Sequence, residues 1–444
     1  MNLTRITAFG LGLAVVAASI VATSTASSAL TGGQTEGLMC EPSDVNAAQA
    51  NFAFSTGTGH ISMPDGNVLF SWGYSTGTHA FQLPGPILCV RQNQKVTITL
   101  TNTLDEDTSL VFPGQEGVNV DGGPDNAPIP SVPQLSGGRV TSLAQVAEKN
   151  GGQITYSFTP TKPGTYLYES GTDPAKQVEM GLYGGLIVYP DNAGTADRTN
   201  AYGDPGTEFQ AGREFIHILS QVDPDLHLAV EQKKPFDWST YQAHYFLING
   251  RSAPDSVSPN DAAWLPSQPY GSMVHVKEQS QALNDGGDTG AALVRYINVM
   301  PTDAAFHPHG NTESVIAEDG QPLRKDGKDN SYGSFLVDIG ANRTVDALFT
   351  WTNVEKYSPD NPVPVQISPY QDVLTSASTW YSMSPYLGHT GDLPAGLTSM
   401  NQCGEYYHMA HNHALQFATN FGASFGGQMT LIRIDPAAGS GCTS

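Results

Sequence analysis

Charge is scarce in this 444-residue chain, and positive charge is scarcest. Asp, Glu, Lys and Arg make up 14% of the residues, with 20 Lys and Arg against 42 Asp and Glu, a formal net charge of −22. A surface that acidic repels the phosphates of nucleic acid and anionic lipid, which removes both as partners. Long apolar runs are lacking too. The one candidate, Ala8–Ala22, is too short for a membrane span and is not followed by a stop-transfer charge cluster, so no membrane span is expected. Arg5 precedes that run, and small residues follow it at Ser24–Ala26 and Ser27–Ala29. This layout predicts a signal peptide over 1–29 and a protein that is secreted, periplasmic or extracellular. Cysteine is rare as well: Cys40, Cys89, Cys403 and Cys442, with no CxxC, which removes support for a thioredoxin-like or zinc-ribbon role. An even count in an exported chain predicts two disulfides, expected as Cys40–Cys89 and Cys403–Cys442, each tying a terminal segment to its own domain.

What is abundant is Gly, with 47, and Pro, with 30, a balance that favours short strands and turns over long helices. Val96-Thr97-Ile98-Thr99-Leu100 alternates and is rich in β-branched residues, and it follows the turn signal Pro84-Gly85-Pro86. Gln153–Phe158 alternates in the same way. Pro163-Gly164 then turns into Thr165–Tyr168, and Leu186–Tyr189 closes a first unit. Asp191–Gly212, rich in Gly, Asp and Thr, reads as a linker. A second unit opens at Phe215–Leu219, continues through Tyr245–Ile248, Leu293–Val299 and Val345–Thr350, and ends at Met429–Ile434. Two all-β units of this kind are most simply two sandwiches.

Four motifs resemble multicopper oxidases, in family order. Gly85-Pro86-Ile87 leading into Val96–Asn102 is similar to the opening of that family's first domain. Pro163–Tyr168 with Gly181–Val188 is similar to its end. Phe246–Arg251 with Arg295–Asn298 is similar to the start of a later domain, and Phe306-His307-Pro308-His309-Gly310 to its copper-binding strand. The resemblance implies an all-β fold of two Greek-key cupredoxin-like β-sandwich domains, at 30–195 and 205–444, with an inserted segment at about 357–400.

The same resemblance implies four histidine pairs and one cysteine, which hold a three-copper cluster and a type 1 copper bound through a thiolate. Here the first pair's strand reads Thr108-Ser109-Leu110-Val111-Phe112-Pro113-Gly114, with Val111 and Pro113 at the ligand places, and Glu169 and Gly171 fill those of the second. The third motif keeps His307 and His309, with Ala304 where the type 1 histidine would stand. In the fourth, Tyr407-His408-Met409-Ala410-His411-Asn412-His413, taking His408 as the first ligand puts Met409 in the place of the cysteine. No His-Cys-His occurs in the chain. His307, His309, His408, His411 and His413 are therefore the candidate metal ligands, for a partial copper site. Residues two apart on a strand share a face, so His307 and His309 can reach one ion, while His408 differs in parity from His411 and His413.

Other patterns carry less. Gly422-Ala423-Ser424-Phe425-Gly426 matches a nucleophile elbow, but no helix signal and no later histidine follow it. Acidic turns near Asp285 and Asp326 lack EF-hand spacing, and the methionines are dispersed. Two functions stay open: a copper-dependent oxidoreductase of multicopper oxidase type, lacking the type 1 cysteine and the first-domain histidines, or a non-catalytic extracellular structural or binding protein on the same scaffold. The extracellular partner or substrate is unassigned, and a homo-oligomer is compatible with the sequence.

Overall fold

The computed structural model describes residues 36–435, apart from 42–43, 78–80, 124–126, 280–289, 326, 354–357, 359, 361–363, 366–398 and 401–405. The expected signal peptide, the Cys403–Cys442 pairing and most of the 357–400 insertion lie outside the described residues.

In the first half, β1 (Gln49–Ser62), β2 (Val68–Ser75), β4 (Lys95–Asn102) and β5 (Gly152–Phe158) build one sheet in the order β2-β1-β4-β5, extended by two short strands. Opposite it, β3 (Leu88–Arg91), β6 (Gly164–Glu169) and β7 (Tyr183–Tyr189) pair in the order β6-β7-β3. Strand alternation explains the packing. On β4, Val96, Ile98 and Leu100 are buried while Thr97 and Thr99 are only partly covered, and Thr99 reaches Thr155 across the sheet at 3.1 Å. The three apolar side chains join Phe52, Phe54, Tyr156, Phe158, Leu186 and Val188 in one core. Each large side chain buried there is worth about 1.5–3 kcal/mol. The Cys40–Cys89 disulfide is present, as expected, and ties the N-terminal segment to β3.

The second half has two larger sheets. One contains β8 (Glu214–Val222), β9 (Tyr245–Ile248), β11 (Ala292–Asn298), β13 (Glu313–Glu318) and β15 (Thr344–Phe349), in the order β13-β15-β11-β8-β9. The other has five strands: β10 (Val274–Val276), β12 (Ala304–Pro308), β14 (Val337–Ile339), β16 (Tyr406–Asn412) and β17 (Met429–Ile434), in the order β10-β17-β16-β12-β14. Phe246, Val294, Tyr296, Phe306, Val337, Phe349 and Ile432 form the core between them.

The run Leu186–Tyr189 is apolar on both faces for a structural reason. Leu186 and Val188 enter the first core, whereas Ile187 and Tyr189 face a separate cluster with Ile216, Ile218, Leu247 and Ile297. Asp191–Gly212 is tied down rather than loose. Ala201, Tyr202 and Phe209 are buried against Leu293 and Ile316, and the Tyr202 hydroxyl donates to Asp346. Its polar composition suggested a linker, but a few buried anchors decide the packing. Among the described residues no helix is long and apolar enough to cross a membrane.

Candidate metal centre

Strand β12 lies antiparallel to β16, with Phe306 opposite Asn412, His307 opposite His411 and Pro308 opposite Ala410. Ala304, Phe306 and Pro308 are buried, which turns His307 to the other face of the sheet. Two backbone hydrogen bonds extend this register, from His309 N–H to the Met409 carbonyl at 2.8 Å and from His413 N–H to the Ala305 carbonyl at 2.7 Å.

Four imidazoles gather on that face. Ring centroids lie 4.5 Å apart for His307 and His309, 5.7 Å for His307 and His411, 5.3 Å for His307 and His413, 5.3 Å for His309 and His411, and 5.7 Å for His411 and His413. His309 Nε2 and His411 Nε2 lie 3.2 Å apart. His411 Nδ1–H donates to the Asn412 carbonyl at 2.9 Å, which leaves its Nε2 as a bare lone pair able to accept from His309 or to bind a metal. His307 Nδ1–H donates to the Phe335 carbonyl, leaving its Nε2 free in the same sense. Burial, followed by repulsion from the surrounding imidazoles, pushes the His309 ring down to about 4. Burial also lowers His411. Both rings are therefore neutral at physiological pH, the form that ligates metals.

His408 stands apart from this group. Its ring stacks parallel to Tyr406 at 6.4 Å and lies 6.3 Å from Trp351. Gly310 explains how it fits: at φ +88 a Cβ there would sit 2.5 Å from the His408 ring. The parity argument thus separates His408 from His411 and His413, and the alternating His-x-His unit on this strand is His411-Asn412-His413. That unit lies three residues beyond the alignment that takes His408 as the first ligand. The residue between the two gathered imidazoles is Asn412, not Met409. Asn412 is buried, and its amide donates to Gln428 at 2.8 Å.

The first-half motifs also come together, without imidazole. Val111 and Glu169 form a bridge through both backbone amides, and a Cβ on Gly171 would meet Val111 at 2.7 Å. The Glu169 carboxylate accepts from Asn342, and burial raises its pKa.

Two ligands of one tetrahedral ion with bonds near 2.0–2.1 Å sit about 3.3 Å apart, so the His309–His411 pair fits a shared ion. Among the described residues, no group of three or more His, Cys, Asp or Glu is gathered closely enough to hold one. The pair also borders a cavity of about 260 Å³, lined by Met409, Leu415, Ala418, Ser424, Phe425 and Met429. Ser424 is exposed in a short strand that pairs with Thr419–Asn420, and it does not sit on an elbow before a helix.

Two packed sandwiches with this strand arrangement define a cupredoxin-type all-β protein. Proteins named multicopper oxidases are among those the chain is similar to. No family model matches the sequence. A curated multicopper oxidase of Cercospora beticola is 28% identical over 163 residues, which is 35% of this chain and 20% of that protein. The match therefore spans about a fifth of the relative's length. Among solved structures, the multicopper oxidase mgLAC has a TM-score of 0.54 at 17% identity, covering 86% of this chain and 85% of its own. The blue copper oxidase of Nitrosomonas europaea has the same TM-score of 0.54 at 18% identity, with coverage of 86% and 85%. At such identities the structures speak for the fold.

Proposed function

We propose that the chain is a secreted, multicopper-oxidase-like copper-binding protein whose copper is held at the His309–His411 pair, with His307 and His413 beside it. The observation that carries this reading is the convergence of four imidazoles on one sheet face, with His309 Nε2 and His411 Nε2 3.2 Å apart. Bound copper supplies Lewis acidity and one-electron redox chemistry. The chain's own residues offer neutral rings at His309 and His411 and hold the tautomers of His307 and His411 through backbone carbonyls. Two domains at 30–195 and 205–444, and export through a signal peptide, belong to the same reading. The Cys40–Cys89 disulfide supports an oxidising compartment.

His309→Ala and His411→Ala are each expected to weaken copper binding at least ~10-fold, because a lost ligand costs no less than the lost outer-shell partners that set that scale. His60→Ala, at an exposed ring paired with Glu231, should leave copper binding unchanged. Equilibrium competition with a chelator measures all three. Equal affinities in all variants would overturn the reading.

Type 1 chemistry is left out of this function because Asn412 stands between the paired imidazoles where a thiolate would be needed. The copper-loaded protein is therefore expected to show no intense blue absorption, and to oxidise phenolic laccase substrates slowly or not at all. A blue band in the visible spectrum, or copper-dependent oxygen consumption with such substrates, would reverse both statements.

One observation favours a non-catalytic binding role alongside. Val132, Leu135, Val140 and Leu143 are exposed around the hairpin Gln134–Ser142, where Leu135 pairs with Val140. From Ala127 to Val146 the sequence has no Asp or Glu and one Arg. In so acidic a chain, an uncharged apolar face lets a second copy approach without like-charge repulsion. Light scattering should report a self-associated protein that Leu135→Asp returns to monomer; a monomeric wild type would dismiss this role.

A further inference from the structure

The His309–His411 pair offers two nitrogen donors, and among the described residues His307 and His413 stand beside it without completing a group of three that could hold an ion. On its cavity side the pair meets sulfur, from Met409 and Met429. On the antiparallel pair of β16 and β17, His411 lies directly opposite Met429, so their side chains leave the same face of the sheet. Met409 is two residues before His411 on β16 and shares that face, and the Met409 carbonyl accepts from the His309 backbone N–H. His309, Met409, His411 and Met429 all line the same cavity, whose other walls are Leu415, Ala418, Ser424 and Phe425. Met409 and Met429 are 8% and 9% exposed and pack together with Ala253 and Phe425. The methionines look dispersed in the sequence because Met409 and Met429 are joined only by strand register.

Among the described residues no carboxylate lines this cavity, in a chain with 42 Asp and Glu. The donor set it offers is neutral: two imidazoles and two thioethers. Neutral soft donors in an apolar wall disfavour a hard divalent ion, which would keep its full charge away from water and carboxylates. They suit a soft monovalent d¹⁰ ion.

We propose that the cavity beside His309 and His411 is a soft-cation site in which the Met409 and Met429 thioethers complete the imidazole pair and select Cu(I). The proposal rests on the histidine reading above and adds the two sulfur donors and the oxidation state.

The test uses Cu(I) under anaerobic reducing conditions, Ag(I) as a redox-silent probe, and Zn(II) as a borderline ion that takes imidazole without needing thioether. In the Met409→Leu/Met429→Leu variant, which nearly conserves core volume, Cu(I) and Ag(I) affinity should fall by about 100-fold, the upper scale of outer-shell losses. Zn(II) binding should stay at the wild-type level. X-ray absorption of the Cu(I)-loaded wild-type protein should show sulfur as well as nitrogen neighbours, and this measurement stands if the double variant folds poorly. Unchanged Cu(I) affinity in a folded variant, or a nitrogen-only copper environment in the wild type, would overturn the thioether site and leave the histidine reading in place. If His309→Ala and His411→Ala also retain all metal binding, the histidine reading fails and this proposal falls with it.

Discussion

Replacing Arg295 with methionine should lower the unfolding free energy by about 3–5 kcal/mol, the cost of removing one partner from a buried ion network. The Arg295 side chain is 0% exposed and sits between Glu214 and Asp346, themselves 6% and 1% exposed. Arg295 Nε donates to Glu214 at 2.7 Å, and Nη1 donates to Asp346 at 3.1 Å and to Thr165 at 2.9 Å. The network ties strands from both halves of the chain: Thr165 belongs to β6, Glu214 to β8, Arg295 to β11 and Asp346 to β15. Tyr189 donates to Glu214, and Tyr202 to Asp346. Without the guanidinium, two carboxylates remain in a space that water does not reach. The sign of the effect depends on what is removed. Changing Glu214, Arg295 and Asp346 together to apolar residues of similar volume should recover much of the loss, since the desolvation cost leaves with the charges. Denaturant midpoints for the single and triple variants measure both claims. A loss under about 1 kcal/mol in the single variant would mean that the network is hydrated and weak.

Arg295 also marks the boundary of what sequence can say. The strand Leu293–Val299 is legible from its apolar run, but the partners of its central arginine are not. Glu214 and Asp346 lie about 80 and 50 residues away, and only the register of three strands brings them together. The candidate site divides along the same line. The His-x-His spacing at His307 and His309 is local, and strand parity alone separates His408 from His411 and His413. Which histidine faces His307 depends on how β16 aligns with β12, and that choice moves the motif by three residues, from Met409 to Asn412 as the residue beside the ligands. The signal that could have found it is the second alternating pair, His411-Asn412-His413, which repeats the pattern of His307-Pro308-His309. Met429 has no local signal, because its role comes from lying opposite His411. The cores show the reverse case. Val96, Ile98 and Leu100 are read correctly from alternation because each buried position depends only on its neighbours two residues away.

Glu313 and Glu179 should make the protein lose stability as pH rises from 6.5 to 8.5. Glu313 is 1% exposed on β13, and the Tyr296 hydroxyl approaches its carboxyl oxygens at 2.9 and 3.0 Å. Burial pushes its carboxyl up to about 8, and the Tyr296 hydrogen bond offsets only part of that. Glu179 is pushed up to about 8 by burial as well, although the Asp223 N–H donates to it at 2.9 Å. In both cases the folded-state pKa lies above the unfolded one, so the native protein holds a proton that the unfolded chain has released. Their contribution is full below the unfolded value of 4.5 and is lost as pH rises through about 8. The window above pH 6.5 isolates them from His217, which burial lowers to about 4: a depressed histidine stabilises the fold increasingly up to its unfolded value and adds no slope beyond it. From pH 6.5 to 8 each carboxyl should account for about 2 kcal/mol. Glu313→Gln keeps a neutral acceptor for Tyr296 and should remove its share of the slope, Glu179→Gln should remove a similar share, and the double variant should keep only the slope of His275, whose pKa is raised, against burial, by its hydrogen bonds to Asp435 and Glu36. Urea midpoints at pH 6.5, 7.5 and 8.5 for the four proteins decide this, and a wild-type stability that is constant or rises across that range would refute it.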